Sequence, residues 1–228
     1  HEMCWTCVQI SRPAMWPASL SCFLFPLCTT ASVRDPALWL GVLYFTLPFN
    51  LLIMGWNDIA DWDVDQFNER KRGRGYWGIR ATKKELARLP RWIVAVNAPF
   101  WCAFAAFVPC ESLLAWLADA LAASFFYNGV WSGVTPQLSR VPVVDVAMNI
   151  WLWFGAFHMG YLVGGGADRF MLPGLTLDRV LARPLAQPWF ERAFAFRASL
   201  LVVILARSQL RAAVCDHAYD LAGGKRTV

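Results

Sequence analysis

The residues best suited to chemistry in this sequence are six carboxylate or amide side chains, four after one apolar stretch and two after another. They are Asn57, Asp58, Asp61, Asp65, Asp216 and Asp220. At about 100° per helical residue the first four share one arc of a helix, and the i,i+4 spacing puts the last two on one face. Clustered carboxylates repel one another unless cations neutralise them, and hard oxygen ligands suit Mg²⁺. The spacing therefore predicts two clusters that bind Mg²⁺.

The first acidic segment also has two other interpretations. A charge-rich loop is often merely solvated, but the repeated helical spacing at both places argues against that. Asp61, Asp63 and Asp65 alternate as they would in an EF-hand loop. Position six of that loop is Gln66 rather than Gly, however, and position twelve is Arg72 rather than Glu. We therefore favour the helical cluster, from which Asp63 points away.

The elements that must position these acids are apolar segments. Of the 228 residues, 57% are hydrophobic and 16% are charged, whereas an average soluble domain is about 45–50% apolar and about 25% charged. About twenty helical residues cross a bilayer. The predicted spans are residues 13–33, 37–56, 92–110, 112–130, 146–163 and a weaker 193–214. The sequence thus predicts an all-α, multi-pass transmembrane helical bundle in a lipid bilayer, and it excludes a nucleic-acid-binding domain.

Six spans return both acidic motifs to the same side of the membrane. That side also receives most of the 21 Lys and Arg residues. The positive-inside rule therefore assigns the motifs to the cytoplasmic face of an integral membrane protein. Two carboxylate clusters around one cavity could hold Mg²⁺ ions that bridge a diphosphate, with Lys and Arg contacting the remaining phosphate oxygens.

The two motifs resemble those of the UbiA-type membrane prenyltransferase superfamily, N-D-x-x-D-x-x-x-D after helix two and D-x-x-x-D after helix six. Ser11-Arg12-Pro13 and residues 139–145 also look like landmarks of that family, and residues 47–52 look most like its carotenoid (lycopene) elongase branch. The resemblance implies nine helices around a central cavity, of which about six are present. Residues 1–228 are then expected to be a single membrane prenyltransferase domain truncated at the C-terminus, with truncation before His1 left open.

The resemblance implies Mg²⁺-dependent transfer of a prenyl group from an allylic prenyl diphosphate donor to a lipophilic acceptor, with release of diphosphate. The acceptor could be carotenoid-like, a quinone precursor or another aromatic compound. The implied metal ligands are Asp58, Asp61, Asp65, Asp216 and Asp220. The implied catalytic residues are Asp61, Asp65 and Asp216, and the implied substrate-binding residues are Asn57, Lys71, Arg140, Lys225 and Arg226. A fragment lacking three helices could be inactive.

The competing function is a membrane transporter or channel whose acidic helix ends bind ions. It predicts ionisable residues deep in several spans, but apart from Asp119 the first five spans carry almost none. Asp119 should itself face a cavity or a partner.

The family commonly has a Tyr shortly before the basic residue of the loop after helix four. The nearest counterpart here is Trp131, with Tyr127 earlier in the chain.

Overall fold

The computed structural model describes residues 2–29, 33–68, 71, 75–129, 138, 141–166, 199–212, 214, 215 and 217. Within these residues the regular elements are helices, and strand-like pairing is limited to an isolated bridge between Gly75 and Gly78. The α-helices are α1 (Glu2–Ile10), α2 (Trp16–Leu24), α3 (Pro36–Tyr44), α4 (Leu47–Ala60), α5 (Trp62–Asp65), α6 (Lys83–Phe104), α7 (Cys110–Asn128), α8 (Pro142–Tyr161) and α9 (residues 199–212). The predicted all-α class is confirmed for this part of the chain.

A two-residue turn, Phe45 and Thr46, separates α3 from α4 inside the predicted span 37–56. Pro48 explains the turn, because proline has no N–H to donate and its ring clashes with the carbonyl group four residues earlier. The Asn50 side chain donates from Nδ2 to the backbone oxygens of Phe45 at 3.1 Å and of Thr46 at 2.6 Å. Two carbonyl groups at the turn are therefore satisfied inside the protein, as a bilayer environment requires.

The start of α6 lies well before residue 92, where the sequence predicts the third span to begin. Thr82 and Glu85 form a capping box: the Glu85 N–H donates to Thr82 Oγ1 at 3.2 Å, and the Thr82 N–H donates to Glu85 Oε2 at 2.8 Å. These bonds satisfy amide groups that a helix start otherwise leaves unpaired. Lys83 then lies 4.2 Å above the ring of Trp62, which joins the start of α6 to α5.

Aromatic packing holds α3, α4, α6 and α7 together. The ring of Tyr44 lies 5.0 Å from Phe45, 6.0 Å from Phe49, 5.5 Å from Phe104 and 6.0 Å from Trp116, measured between centroids. All five side chains are fully buried. Most of these pairs are edge-to-face or tilted, which is the arrangement that aromatic quadrupoles favour. This cluster fixes the helices that carry the first acidic motif.

The contact between α8 and the end of α2 depends on a glycine. A Cβ on Gly160 would overlap the carbonyl oxygen of Phe23 and lie 2.8 Å from Pro26 Cγ. We expect Gly160→Ala to lower the free energy of unfolding by about 1–3 kcal/mol, because the neighbouring backbone cannot move aside. Gly155→Ala is the matched control on the same helix, since the nearest atom to its Cβ would be 4.0 Å away. Thermal unfolding of both variants in detergent tests this, and equal effects would contradict it.

Among the residues that the structure describes, two helical segments are long and apolar enough to cross a membrane, Pro36–Ala60 and Val143–Gly164. They coincide with the second and fifth predicted spans, and the remaining spans stay predictions. Large apolar side chains are also exposed on α7 and α9, among them Leu114 (64%), Leu121 (42%) and Val203 (64%). Extended apolar surface of this kind suits contact with lipid or another apolar partner. Both observations support membrane association.

Candidate functional site

The first acidic motif lies where α4 ends and α5 begins. The helix stops at Ala60, Asp61 occupies a turn, and α5 continues to Asp65, so the motif is not the single continuous helix assumed from the sequence. Its side chains nevertheless separate as the spacing predicts. Asp58 and Asp61 are buried, Asp65 is half-buried and Asp63 is exposed. The turn therefore preserves a shared face for the three inward carboxylates.

Two cations lie among these carboxylates. Lys71 Nζ donates to Asp58 Oδ1 at 2.8 Å and also to Asp65 Oδ2. Arg12 Nη2 donates to the same Asp58 oxygen at 2.8 Å and to Asn57 Oδ1 at 3.3 Å. Lys71 is 5% exposed and Asp58 is 3% exposed, so these charges are largely removed from water. Close opposite charges and hydrogen bonds are what make such burial tolerable.

Backbone geometry brings both cations to the motif. Arg12 has φ 51° and ψ 77°, a left-handed conformation that costs energy for a residue with a side chain. It stands between α1 and the 3-10 turn Pro13–Met15, where the chain changes direction. The N–H of Lys71 donates to the Asn68 carbonyl at 3.1 Å, and its carbonyl accepts from the Arg80 N–H at 2.9 Å. Neither position is apparent from the spacing of the acids.

Several buried polar atoms of this cluster have no hydrogen-bond partner among the residues described. They are Asp58 Oδ2, Arg12 Nε, Arg80 Nε and Arg80 Nη2. Asp58, Asp65 and Arg80 line one small cavity together. Leaving a buried polar group unpaired costs about 1–3 kcal/mol, and more for a charged group. The cluster thus offers a carboxylate oxygen of Asp58 that can bind a cation, and beside it N–H groups of Arg12 and Arg80 that can bind an anion.

Burial and neighbouring charges shift two pKa values here. Burial raises the pKa of Asp65 to about 6; the ammonium of Lys71 counters this in part, and the carboxylate of Asp58 adds to the rise. The pKa of Arg12 is raised because Asp58 and Asp65 together outweigh the opposing effect of its burial. Arg12 therefore stays charged at any relevant pH, whereas Asp65 gains a proton below about pH 6.

A chain of hydrogen bonds leads from the motif to α7. Asn57 Nδ2 donates to Asp61 Oδ2 at 3.0 Å and to Asn128 Oδ1 at 3.5 Å. Asn128 is the last residue of α7, and its own amide donates to the Ser124 carbonyl at 2.8 Å. Asn57, predicted from the sequence to bind substrate, thus links the acids to the end of α7.

The neighbouring Tyr127 connects the motif to α8 and α9. Its hydroxyl donates to Asp145 Oδ1 at 3.0 Å and accepts from Asn149 Nδ2 at 2.8 Å. Asp145 Oδ2 accepts from Gln209 Nε2 of α9 at 3.1 Å. Tyr127 thus places an aromatic hydroxyl near the end of α7, in contact with Asp145 and Asn149. Sequence reasoning missed Asn149 and Gln209 as site residues, because a lone amide in an apolar helix carries no recognisable spacing.

An apolar cavity of about 310 Å³ adjoins this network. It lies between α2, α8 and α9, and Phe25, Trp153, Leu201 and Leu205 form part of its wall. Asn149 and Gln209 belong to the same lining. The cavity thus has an apolar body and a polar side, which is typical of a site for a lipophilic small molecule.

The carboxylate of Asp119 on α7, which the sequence predicts to face a cavity or a partner, has a partner. Asp119 Oδ1 on α7 accepts a hydrogen bond from Trp151 Nε1 on α8 at 2.9 Å. This bond joins the two helices through their apolar faces. It gives Asp119 a structural role apart from the acidic motif.

The second half of the predicted site lies outside the described residues. This applies to Arg140, Asp216, Asp220, Lys225 and Arg226, and also to Trp131. Whether the two acidic motifs face each other therefore stays a prediction. Gln209, which contacts Asp145, places α9 beside the network reached from the first motif.

Chemical fit to Mg²⁺ rests on the oxygen atoms of the first motif. Asp58 Oδ2 is a buried carboxylate oxygen with no partner among the described residues, and such an oxygen suits a hard cation. Within the same residues no three His, Cys, Asp or Glu side chains converge as a ready metal group. The ammonium of Lys71 lies between Asp58 and Asp65 and supplies positive charge there.

Comparison with known proteins gives partial matches. Two lycopene elongase/hydratase proteins from Corynebacterium glutamicum are each 35% identical over 63 residues, which is 28% of this chain and 22% of each relative. The C(50) beta-cyclic carotenoids biosynthesis protein LbtBC from Dietzia sp. (strain CQ4) is 25% identical over 158 residues, which is 68% of this chain and 34% of that protein. No protein-family model matches the chain. No solved structure matches it either.

These matches span about a fifth to a third of the curated relatives' own length. The relatives are carotenoid biosynthesis proteins, and the chain is similar to enzymes of that kind. The carotenoid-related part of the resemblance is therefore supported at this level.

Proposed function

We propose that this protein is an intramembrane prenyltransferase of the UbiA type that modifies a carotenoid-like acceptor. The observation that carries the proposal is the buried cluster in which Arg12 and Lys71 converge on Asp58 with unpaired donors and an unpaired acceptor. Such a cluster can bind a diphosphate, which has both negative oxygens and, commonly, an associated cation. The similarity to carotenoid biosynthesis proteins supports a lipophilic acceptor.

The positive side chains would act on the leaving group. When the carbon–oxygen bond of an allylic diphosphate breaks, negative charge develops on the diphosphate oxygens. Arg12, Lys71 and Arg80 can stabilise that charge, and their effect is larger in a buried site than in water. Guanidinium groups bind phosphate through two parallel N–H donors, which also fixes the orientation of the substrate.

Asp58, Asp61 and Asp65, with Asn57 as a further oxygen donor, would hold Mg²⁺ from one side once their side chains move together, since they do not converge in this structure. Bound Mg²⁺ would supply further positive charge to the diphosphate and so make it a better leaving group. In this proposal Asp216 and Asp220 form the second set of Mg²⁺ ligands.

The acceptor would supply the electrons for the new bond. The electron pair of an acceptor double bond attacks the allylic carbon, a carbon–carbon bond forms as the carbon–oxygen bond to the diphosphate breaks, and the acceptor cation then gives a proton to the released diphosphate. Such a cation survives only where water is excluded. The cavity between α2, α8 and α9 offers a largely apolar surface for the acceptor.

The test uses the natural reading frame that contains these residues, expressed in membranes. Membranes are supplied with labelled dimethylallyl, geranyl or farnesyl diphosphate, lycopene or a lipid extract, and Mg²⁺. We expect a prenylated lipophilic product and one released diphosphate per product. If neither product nor diphosphate forms with any donor, the proposed function is wrong.

The raised pKa of Asp65 leads to a pH prediction. Below about pH 6 this carboxylate is protonated and no longer available to a cation. We therefore expect the apparent Mg²⁺ affinity to fall about tenfold between pH 6 and pH 5 and to change little above pH 7. The measurement is the Mg²⁺ concentration that gives half-maximal thermal stabilisation at each pH. Asp63→Asn should leave this profile unchanged, and equal midpoints at pH 5 and pH 7.5 would contradict the prediction.

A further inference from the structure

The apolar cavity between α2, α8 and α9 has a polar side built by amides. Asn149 and Gln209 both line it, and both donate their amide N–H groups to Asp145. Asn149 also donates to the hydroxyl of Tyr127 at 2.8 Å. Because the carboxylate accepts from both amides, the orientation of the two side chains is fixed.

This orientation determines what the amides offer to a ligand. With both N–H groups of Asn149 directed at Asp145 and Tyr127, and one N–H of Gln209 directed at Asp145, the groups that remain are the two carbonyl oxygens and the second N–H of Gln209. Carbonyl oxygens accept hydrogen bonds and cannot donate them. A ligand in the cavity is therefore favoured if it carries at that point a group that both donates and accepts hydrogen bonds, as a hydroxyl does, and is otherwise apolar.

The size of the cavity limits what it can hold. A volume of about 310 Å³ corresponds to about ten groups of the size of water. Ten carbon atoms are two isoprenoid units. The rim includes the exposed, small residues Ala18 and Ser21 of α2, so a longer chain can extend outward past them.

We propose that this cavity binds the hydroxyl-bearing end of an isoprenoid chain, with the carbonyl oxygens of Asn149 and Gln209 accepting from the hydroxyl. Asp145 is then a positioning residue, because it acts through the two amides. The proposal rests on the proposed function, since it identifies the acceptor of that reaction as an isoprenoid alcohol whose hydroxyl passes unchanged into the product.

The experiment measures binding without turnover. The full chain in lipid nanodiscs is labelled with a photoreactive ten-carbon isoprenoid alcohol, and labelled peptides are identified by mass spectrometry. Geraniol and the hydrocarbon of the same carbon skeleton compete with the label. For each protein, the geraniol concentration that halves the labelling is divided by the hydrocarbon concentration that does so. Comparing this ratio between the wild type and a variant removes the difference in how the two compounds partition into lipid.

We expect labelling of peptides from α2 and α9 and a preference for the alcohol in the wild type. In Gln209→Met and Asn149→Leu the preference for the alcohol over the hydrocarbon should fall about tenfold, because each variant loses one or two hydrogen bonds to the hydroxyl. Arg207→Met is the control, because Arg207 is exposed on α9 and is not part of the cavity wall. Size-exclusion profiles and circular dichroism establish that each variant is folded, and Gln209 is half-buried, so that variant should fold.

Three results would overturn the inference: no labelling at the cavity, as expected if another polypeptide segment fills it; an unchanged ratio in both amide variants; or the same change in Arg207→Met. Diphosphate release is measured separately on the same preparations. Alcohol preference without any prenyl transfer would refute the proposed function while leaving the cavity assignment intact. Transfer without alcohol preference would refute the cavity assignment alone.

Discussion

Asp58→Asn is expected to reduce Mg²⁺-dependent diphosphate release by about 10²–10³-fold. Asp58 is 3% exposed, and one of its oxygens accepts from both Arg12 and Lys71 at 2.8 Å. The amide keeps the size of the side chain but removes the charge that holds two cations in place. It also weakens the buried Oδ2 as a ligand for a cation. The measurement is diphosphate released from a labelled prenyl diphosphate in membranes at fixed Mg²⁺ concentration.

Asp63→Asn is the matched control for this prediction. Asp63 lies in the same segment, undergoes the same change of charge, and is exposed. We expect its activity to stay within about twofold of the wild type, since exposed charges interact weakly with a buried site. Equal losses in both variants would show that only the overall acidity of the segment matters, and full activity of Asp58→Asn would remove the residue from the mechanism.

Lys71→Met is expected to lower the free energy of unfolding by about 3–5 kcal/mol, because it removes one partner of a buried ion pair. Lys71 is 5% exposed and contacts both Asp58 and Asp65. Methionine fills similar space but leaves two carboxylates that repel each other in a site with little water. Mg²⁺ should therefore raise the unfolding temperature of this variant more than that of the wild type, since a divalent cation restores the positive charge.

Thermal unfolding in detergent, with and without Mg²⁺, measures both effects. Lys84→Met is the control, because Lys84 is exposed at the start of α6 and loses the same charge. We expect it to change the free energy of unfolding by less than about 0.5 kcal/mol. If Lys71→Met is as stable as this control, or if Mg²⁺ stabilises both variants equally, the ion pairs of Lys71 do not hold the acidic segment together.

The spacing of the acids predicts much of the first half of the site. It predicts that Asp58, Asp61 and Asp65 share one face and that Asp63 points away, and the structure agrees, although a turn at Asp61 divides the helix. Hydropathy likewise predicts helices throughout, with the second and fifth spans meeting the length and composition required. Both predictions succeed because helical periodicity is local and can be read from neighbouring residues.

Element boundaries are predicted less well. The turn at Phe45 and Thr46 depends on Pro48 and on the side chain of Asn50, and hydropathy averages over such features. The start of α6 depends on the capping box of Thr82 and Glu85, which precedes the apolar stretch used to place the span. In both cases specific hydrogen bonds, rather than hydrophobicity, decide where the helix begins or ends.

Composition and spacing are enough to predict that the protein is helical and apolar and that a set of oxygen ligands follows its second long apolar segment. Which cations contact those acids, and what lies beyond them, depends on how the helices pack. Arg12 reaches Asp58 from a distant part of the chain through a left-handed backbone conformation, and Gln209 reaches Asp145 from another helix. Spacing along one helix specifies a face, but the partner of that face depends on packing between helices. The acids were therefore predictable, and Lys71 was expected from the family resemblance, whereas the contacts of Lys71 and Arg12 with those acids, the amides Asn149 and Gln209, and the cavity beside them were not.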